Sequence, residues 1–196
     1  MNREAVAVYD LSGRCGWAVH APGLAKPAHG ILQLPPSKMD GSNGPALKLL
    51  WEHIAWVDRN FGLAHLGYEA FIAPTGGSKD DDKNFITSPK TIKKQVGLIA
   101  VVEMCAEVMG VPSYSINNMS WRRFWLGKQP MGTKRDTWKA LAVERASKLN
   151  WDPYGDDDAD AIGQMHFLLN KLDITPNWST SIDPILPLGG ANGKAQ

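Results

Sequence analysis

Cysteine is scarce in this 196-residue chain: Cys15 and Cys105 stand far apart and form no CxxC pair. That excludes a disulfide framework and a cysteine-based zinc site, and it fits a reducing, cytoplasmic setting. Apolar runs are short, none approaching the roughly 20 residues of a membrane span. The opening residues, MNREAV, lack the basic-then-apolar order of a secretion signal. No membrane partner is therefore expected. Neither sign of charge dominates, since the net charge is only +1, and no segment repeats. What is present, 43% hydrophobic and 21% charged residues, is the balance of a soluble globular protein. The length suits one domain with a full core, or one domain followed by a tail.

The distribution of charge says more than its sum. Between Trp121 and Lys148 lie Arg122, Arg123, Lys128, Lys134, Arg135, Lys139, Arg145 and Lys148, against only Asp136 and Glu144. The opposite pole is DPYGDDDADA, with Asp152, Asp156, Asp157, Asp158 and Asp160. Basic and acidic blocks side by side suggest an anionic partner held near a cation-binding cluster. A solvated charged helix face is the plainer account of the basic block alone.

Three strand-like runs open the chain, at residues 4–10, 16–20 and about 29–34, the first two joined by a hairpin. Pro45 fits the first turn of a helix running to about Phe61, in which Leu49, Leu50, Ile54 and Val57 recur at helical spacing. A strand over 63–72, ending near Glu69, precedes a polar, Gly-rich stretch from Ala73 to about Ser88. That stretch is long for a passive connection and typical of a functional loop. The next helix, of about eighteen residues in TIKKQVGLIAVVEMCAEVMG, is apolar on more than one face, so a sheet and a second body could both cover it. Gly97 would let it approach a backbone closely. VPSYSI reads as a short strand, a basic Trp-rich segment follows, and helices cover about Thr133 to Leu149 and the acidic run through AIGQMHFLLNKL. The order β-β-β-α-β-α-β-α-α predicts an α/β fold: a mixed five-stranded sheet, its first three strands antiparallel, with helices on both faces. Residues 1–172 form the expected domain, and 173–196 a Pro- and Gly-rich tail, extended or disordered.

The acids fall in a pattern. Asp10 ends the first strand and Glu69 lies near the end of the fourth, where neighbouring parallel strands open onto one rim. Asp157 and Asp160, three apart at the start of the last helix, share a flank. Four carboxylates at close quarters raise one another's pKa unless cations sit between them, and hard oxygen donors suit Mg²⁺ or Mn²⁺. Each acid also has a duller reading: a turn cap for Asp10, an exposed strand end for Glu69, helix capping for Asp156. Asp158 turns toward the apolar stripe of Ile162, Met165 and Leu169. Trp121 and Trp125 could stack on bases, but their spacing of four favours the core. His166 and the other histidines read as structural or solvent-exposed.

Taken together, YDLSGRCGWAV, YEAF, KKQVGLI and DDADAIG resemble the RuvC-like Holliday junction resolvases of the RNase H-like nuclease superfamily, over about residues 5 to 170. The GWA after the first acid looks more like the divergent phage or prophage branch. The resemblance implies an RNase H-like fold and a homodimer cutting two strands of a four-way DNA junction. It maps the acids that bind two Mg²⁺ ions onto Asp10, Glu69, Asp157 and Asp160. It implies a catalytic role for Lys134, in GTKRD, and DNA contacts from Arg122, Arg123, Lys128, Lys134, Arg135, Lys93 and Lys94. Phe71, with Ile72, stands near the position of the family's junction-opening aromatic. No nucleotide cofactor is implied. Two alternatives remain: another RNase H-like nuclease, such as a ribonuclease H or transposase core, and an actin- or sugar-kinase-like ATPase lobe with DLSGRCG as a phosphate loop. The short length, and an acidic cluster where a Gly-rich nucleotide motif belongs, weigh against the lobe.

Overall fold

The computed structural model describes residues 3–71, 88–176 and 178. Its elements run β1 (Ala5–Asp10), β2 (Arg14–His20), β3 (Ala28–Gln33), α1 (Gly44–Phe61), β4 (Leu63–Glu69), α2 (Pro89–Met109), β5 (Ser113–Ile116), α3 (Asn118–Leu126), α4 (Arg135–Lys148) and α5 (Asp156–Lys171). The five strands form one sheet in the order β3-β2-β1-β4-β5. β1, β2 and β3 pair antiparallel, while β4 and β5 run parallel to β1. This is the mixed sheet expected from the order of elements.

Strand alternation divides β1 between two cores, because successive side chains point to opposite faces. Ala5, Ala7 and Tyr9 pack under α1 and α2, with Leu50, Ile54, Val57 and Val102. Val6 and Val8 pack on the other side, with Trp121, Trp125, Ile162 and Met165 from α3 and α5. β1 is thus buried from end to end, which explains its unbroken apolar composition up to Asp10.

Local signals set the helix limits. Pro45 sits in the first turn of α1, and Gly62, in the left-handed region at φ 68°, returns its N–H to the Asp58 carbonyl. α2 begins earlier and is longer than its apolar pattern indicated, at 21 residues, because the Ser88 side chain accepts from the Thr91 N–H and Pro89 opens the helix. A β-carbon built on Gly97 would stand 3.3 Å from the Leu47 side chain of α1, so what lies against this glycine is a side chain and not the expected backbone. The Trp-rich segment contains a helix that the outline above omitted. Asn117 caps it by accepting from the Ser120 N–H at 3.0 Å, and Trp121 and Trp125 are fully buried, the core role their spacing favoured.

Packing continues past residue 172. Ile174 lies against the second core and Trp178 is buried in it, its ring beside those of His20, Trp151 and His166. Residues 72–87, which hold Ile72 and nearly all of the expected functional loop, lie outside the described residues, as do 177 and 179–196. Among the described residues no helix is long and apolar enough to cross a membrane.

Candidate active site

Asp10 and Glu69 are brought together by the sheet. They end neighbouring parallel strands whose register pairs Tyr9 with Tyr68, so both open onto the same rim. The N-terminus of α5 reaches that rim through β2. Asp10 pairs across the hairpin with Gly16, and the Gly16 backbone lies directly against the backbone of Asp157. Asp10, Glu69, Asp157 and Asp160 consequently line one cavity of about 690 Å³, floored by the sheet rim and walled by α2, α3 and α4.

The electrostatics are those of crowded carboxylates. Burial pushes the Asp10 pKa well above the ordinary range, and the charge and shared hydrogen bond of Glu69, then Asp160 and Asp157, push the same way. Asp160 is pushed up to about 7, by burial first, with Arg122 opposing and Glu69 adding to the rise. Protein cations compensate in part. Arg122 Nη2 donates to Asp160 Oδ2 at 3.3 Å, Lys139 Nζ lies 3.3 Å from Asp157 Oδ1, and Arg14 Nε lies 3.4 Å from Asp157 Oδ2. Lys139 also contacts Asp156. Burial lowers the Lys139 pKa, but the two carboxylates outweigh it and the net shift is upward.

Compensation is incomplete. Asp160 Oδ1 and Glu69 Oε1 are buried without a hydrogen-bond partner. Bare carboxylate oxygens in a cavity with two further acids are donors suited to a hard divalent cation. The donor types fit such an ion, but among the described residues no group of three or more His, Cys, Asp or Glu side chains is placed so that it could hold one, and the acids would have to turn toward it. Asp10, Glu69, Asp157 and Asp160 are the residues that could hold it.

The neighbouring acids have other work. Asp158 is fully buried and turned away from the cavity, accepting from the Tyr154 N–H at 2.8 Å and facing His29 Nδ1 at 3.0 Å. Asp156 does not cap α5, since Gly155 holds that position; it is the first helical residue and pairs with Lys139.

Of the basic residues singled out from the sequence, Arg122, Arg135 and Lys94 line the cavity. Arg123 and Lys128 are exposed and do not line it. Lys134 is exposed too, occupying the position before α4 rather than the cavity wall. Lys93 turns to the Gly41 carbonyl, and half-buried Phe71 lies outside the lining. Lys139 is the cavity lysine that sequence reasoning passed over. Its signal was present: four residues after Arg135, it shares that residue's helix face.

A mixed five-stranded sheet in the order β3-β2-β1-β4-β5, with helices on both faces, is an α/β fold of the RNase H-like class. Within that class the fold is the RuvC-like one. Thermus thermophilus RuvC in complex with a Holliday junction substrate matches with a TM-score of 0.58 and 15% identity, over 88% of this chain and 99% of that one. A second Thermus thermophilus RuvC structure matches at 0.55 and 16%, again over 88% and 99%. The yeast mitochondrial Holliday junction resolvase matches at 0.53 and 12%, over 89% and 82%. No family model matches the chain, and no curated protein matches it.

Proposed function

We propose that this protein is a divalent-metal-dependent endonuclease that resolves four-way DNA junctions, a divergent member of the RuvC-like resolvases. One observation carries the reading: four carboxylates from three distant segments meet in a single cavity rimmed by Arg122, Arg135 and Lys94. The fold around them is shared with a RuvC solved on a Holliday junction.

Arg135 and Lys94, at the cavity margin, would grip phosphates on either side of the scissile bond, contacts that position the strand without reading its bases. Arg122, only 13% exposed and lying over the Trp121 ring, is held rigidly beside Asp160, where its free donors can face the scissile phosphate. Asp10 and Glu69, mounted on strands, fix the reacting geometry to the sheet. Two Mg²⁺ or Mn²⁺ ions among the four acids would supply activation of a water for in-line attack and neutralise charge on the departing 3′ oxygen. The products would carry 5′-phosphate and 3′-hydroxyl ends.

A four-way junction has approximate two-fold symmetry, and an isologous dimer would match it. α2 offers the surface: Val96 and Met104 are each 50% exposed and Val108 is 76% exposed, along the side of the helix turned from the sheet.

The test is a panel of four-way junction, flap, plain duplex and RNA–DNA hybrid substrates with and without Mg²⁺. Junction cleavage at paired positions is expected, abolished in Asp10→Asn with junction binding kept. Preferential cutting of the hybrid would move the protein to the ribonuclease H reading. Metal-independent cutting would remove the proposal altogether.

A further inference from the structure

Lys139 has no task in the cleavage scheme, yet it is the most engaged cation in the cavity. Its side chain, 18% exposed, crosses from α4 to the start of α5 and touches two adjacent carboxylates, Asp156 and Asp157. Arg14 holds the second oxygen of Asp157 at 3.4 Å. Both oxygens of Asp157 therefore face protein cations, whereas Glu69 and Asp160 each keep one buried oxygen bare. Asp160 is met by Arg122 on one oxygen only, so among the acids assigned to metal Asp157 is the most fully neutralised. Asp156 is different in kind: it does not line the cavity, and it offers the ammonium a seat on the outer side.

We propose that Lys139 is a resident counter-cation that competes with divalent ions for Asp157, and that Asp156 is the seat to which it withdraws when an ion binds. The inference rests on the nuclease reading and deepens it, because it names what sets ion affinity in the DNA-free cavity. An ion entering next to Asp157 meets a positive charge within a few ångströms, in a partly buried site where such repulsion is only partly screened. Withdrawal is short, since the two carboxylates belong to consecutive residues. Asp156 thus keeps the ammonium out of bulk water while freeing Asp157 Oδ1.

The experiment is Mn²⁺ binding by the full-length, DNA-free protein, read by the electron paramagnetic resonance signal of free Mn²⁺ and by calorimetry. Lys139→Met keeps the apolar stem and removes the charge; it should bind Mn²⁺ roughly tenfold tighter than wild type. Lys139→Gln should gain similarly, and it stands in if the Met variant fails to fold. Asp156→Asn alone should weaken binding, because Lys139 then rests on Asp157 only. In the Lys139→Met background the same substitution should change little, since Asp156 acts through the lysine; double-mutant coupling of this kind is the signature of a shared element. Equal loss in both backgrounds would make Asp156 a simple long-range charge and overturn its role as a seat. Unchanged or weaker binding in both Lys139 variants would overturn the competition while leaving the nuclease reading intact. A wild type that binds no Mn²⁺ at all would instead remove the metal-dependent reading on which both rest.

Discussion

The α-carbon of Gly16 lies so close to Asp157 that a β-carbon built there would stand 2.0 Å from the Asp157 carbonyl oxygen. Gly16 is also the cross-strand partner of Asp10. One residue therefore ties the first acid, at the end of β1, to the third, at the start of α5, through backbone alone. No side chain intervenes that could flex.

Gly16→Ala should accordingly push the N-terminus of α5 away from the sheet. The clash is with backbone, so the cost should reach or exceed the roughly 1–3 kcal/mol typical of overpacking. Cleavage should fall further than stability suggests, by about a hundredfold, because a displacement near 1 Å disrupts reacting geometry to that degree. Single-turnover cleavage and thermal denaturation of the same preparation check both parts. A variant with normal cleavage would show that the acids do not depend on this contact.

A second anchor lies behind the acids. Asp158 accepts from the Tyr154 N–H and faces His29 of β3, binding the start of α5 to the sheet's edge strand. Asp158→Ala would leave both partners without their acceptor in a buried place, a loss of about 1–3 kcal/mol for each stranded donor. Asp158→Asn keeps one acceptor oxygen and should cost less. Urea denaturation distinguishes them; equal, sub-kilocalorie losses would mean the pair is structurally idle.

Much of this was legible in the sequence because it is carried by local signals. The apolar run ending in Asp10, the Pro45 start and Gly62 stop of α1, and the spacing of Trp121 and Trp125 each have a single good structural answer. That Asp10 and Glu69 share a rim followed from strand order, since parallel neighbours do so, whereas Asp157 and Asp160 joined the set through the family resemblance. What stayed hidden depends on direction across space. The choice between Lys134 and Lys139 turns on where α4 starts: Lys134 precedes the first turn, and Lys139 falls on the face packed toward α5. The partner of Asp158 comes from a strand more than a hundred residues earlier, and no periodicity in DDADA points to His29. α3 was missed because nine residues bounded by Asn117 and Gly127 leave too short a pattern to separate helix from loop.

The crowded acids predict a trade of stability for chemistry. Without divalent ions, burial and the neighbouring Glu69 disfavour the charge on Asp10. Asp10→Asn removes that charge and offers an amide donor to the bare Glu69 Oε1. In EDTA the variant should be more stable than wild type by about 0.5–2 kcal/mol, the scale of such active-site trade-offs. Adding Mn²⁺ should raise the melting temperature of wild type more than that of the variant. The reverse ranking in EDTA would show that the carboxylates are not under mutual strain.

Acid sensitivity should come from the second core. His166 lies against both Trp125 and Trp151, at ring distances of 4.8 and 5.0 Å, and accepts from Trp178 Nε1. Burial first, then the charges of Arg145 and His20, lower its pKa to about 3. In the unfolded chain the same ring takes a proton near pH 6.5. Above that value both states are neutral and His166 exerts no pH dependence. As the pH falls from 6.5 toward 3, the unfolded state binds a proton that the folded state refuses, and stability drains by up to about 1.4 kcal/mol per unit. Other groups move too: His53 is lowered to about 4 by burial and acts in the same direction, while Asp10 and Asp160, raised in the fold, act in the opposite one. The difference in unfolding free energy between wild type and His166→Phe, measured at each pH, cancels them. Phe fills the stacked position without a titrating nitrogen, so its disadvantage should be constant above pH 6.5 and should shrink steadily below it. A difference that stays level from pH 7 to 4 would show that His166 takes up its proton in the fold as readily as in the unfolded chain, with the aromatic cluster open to water.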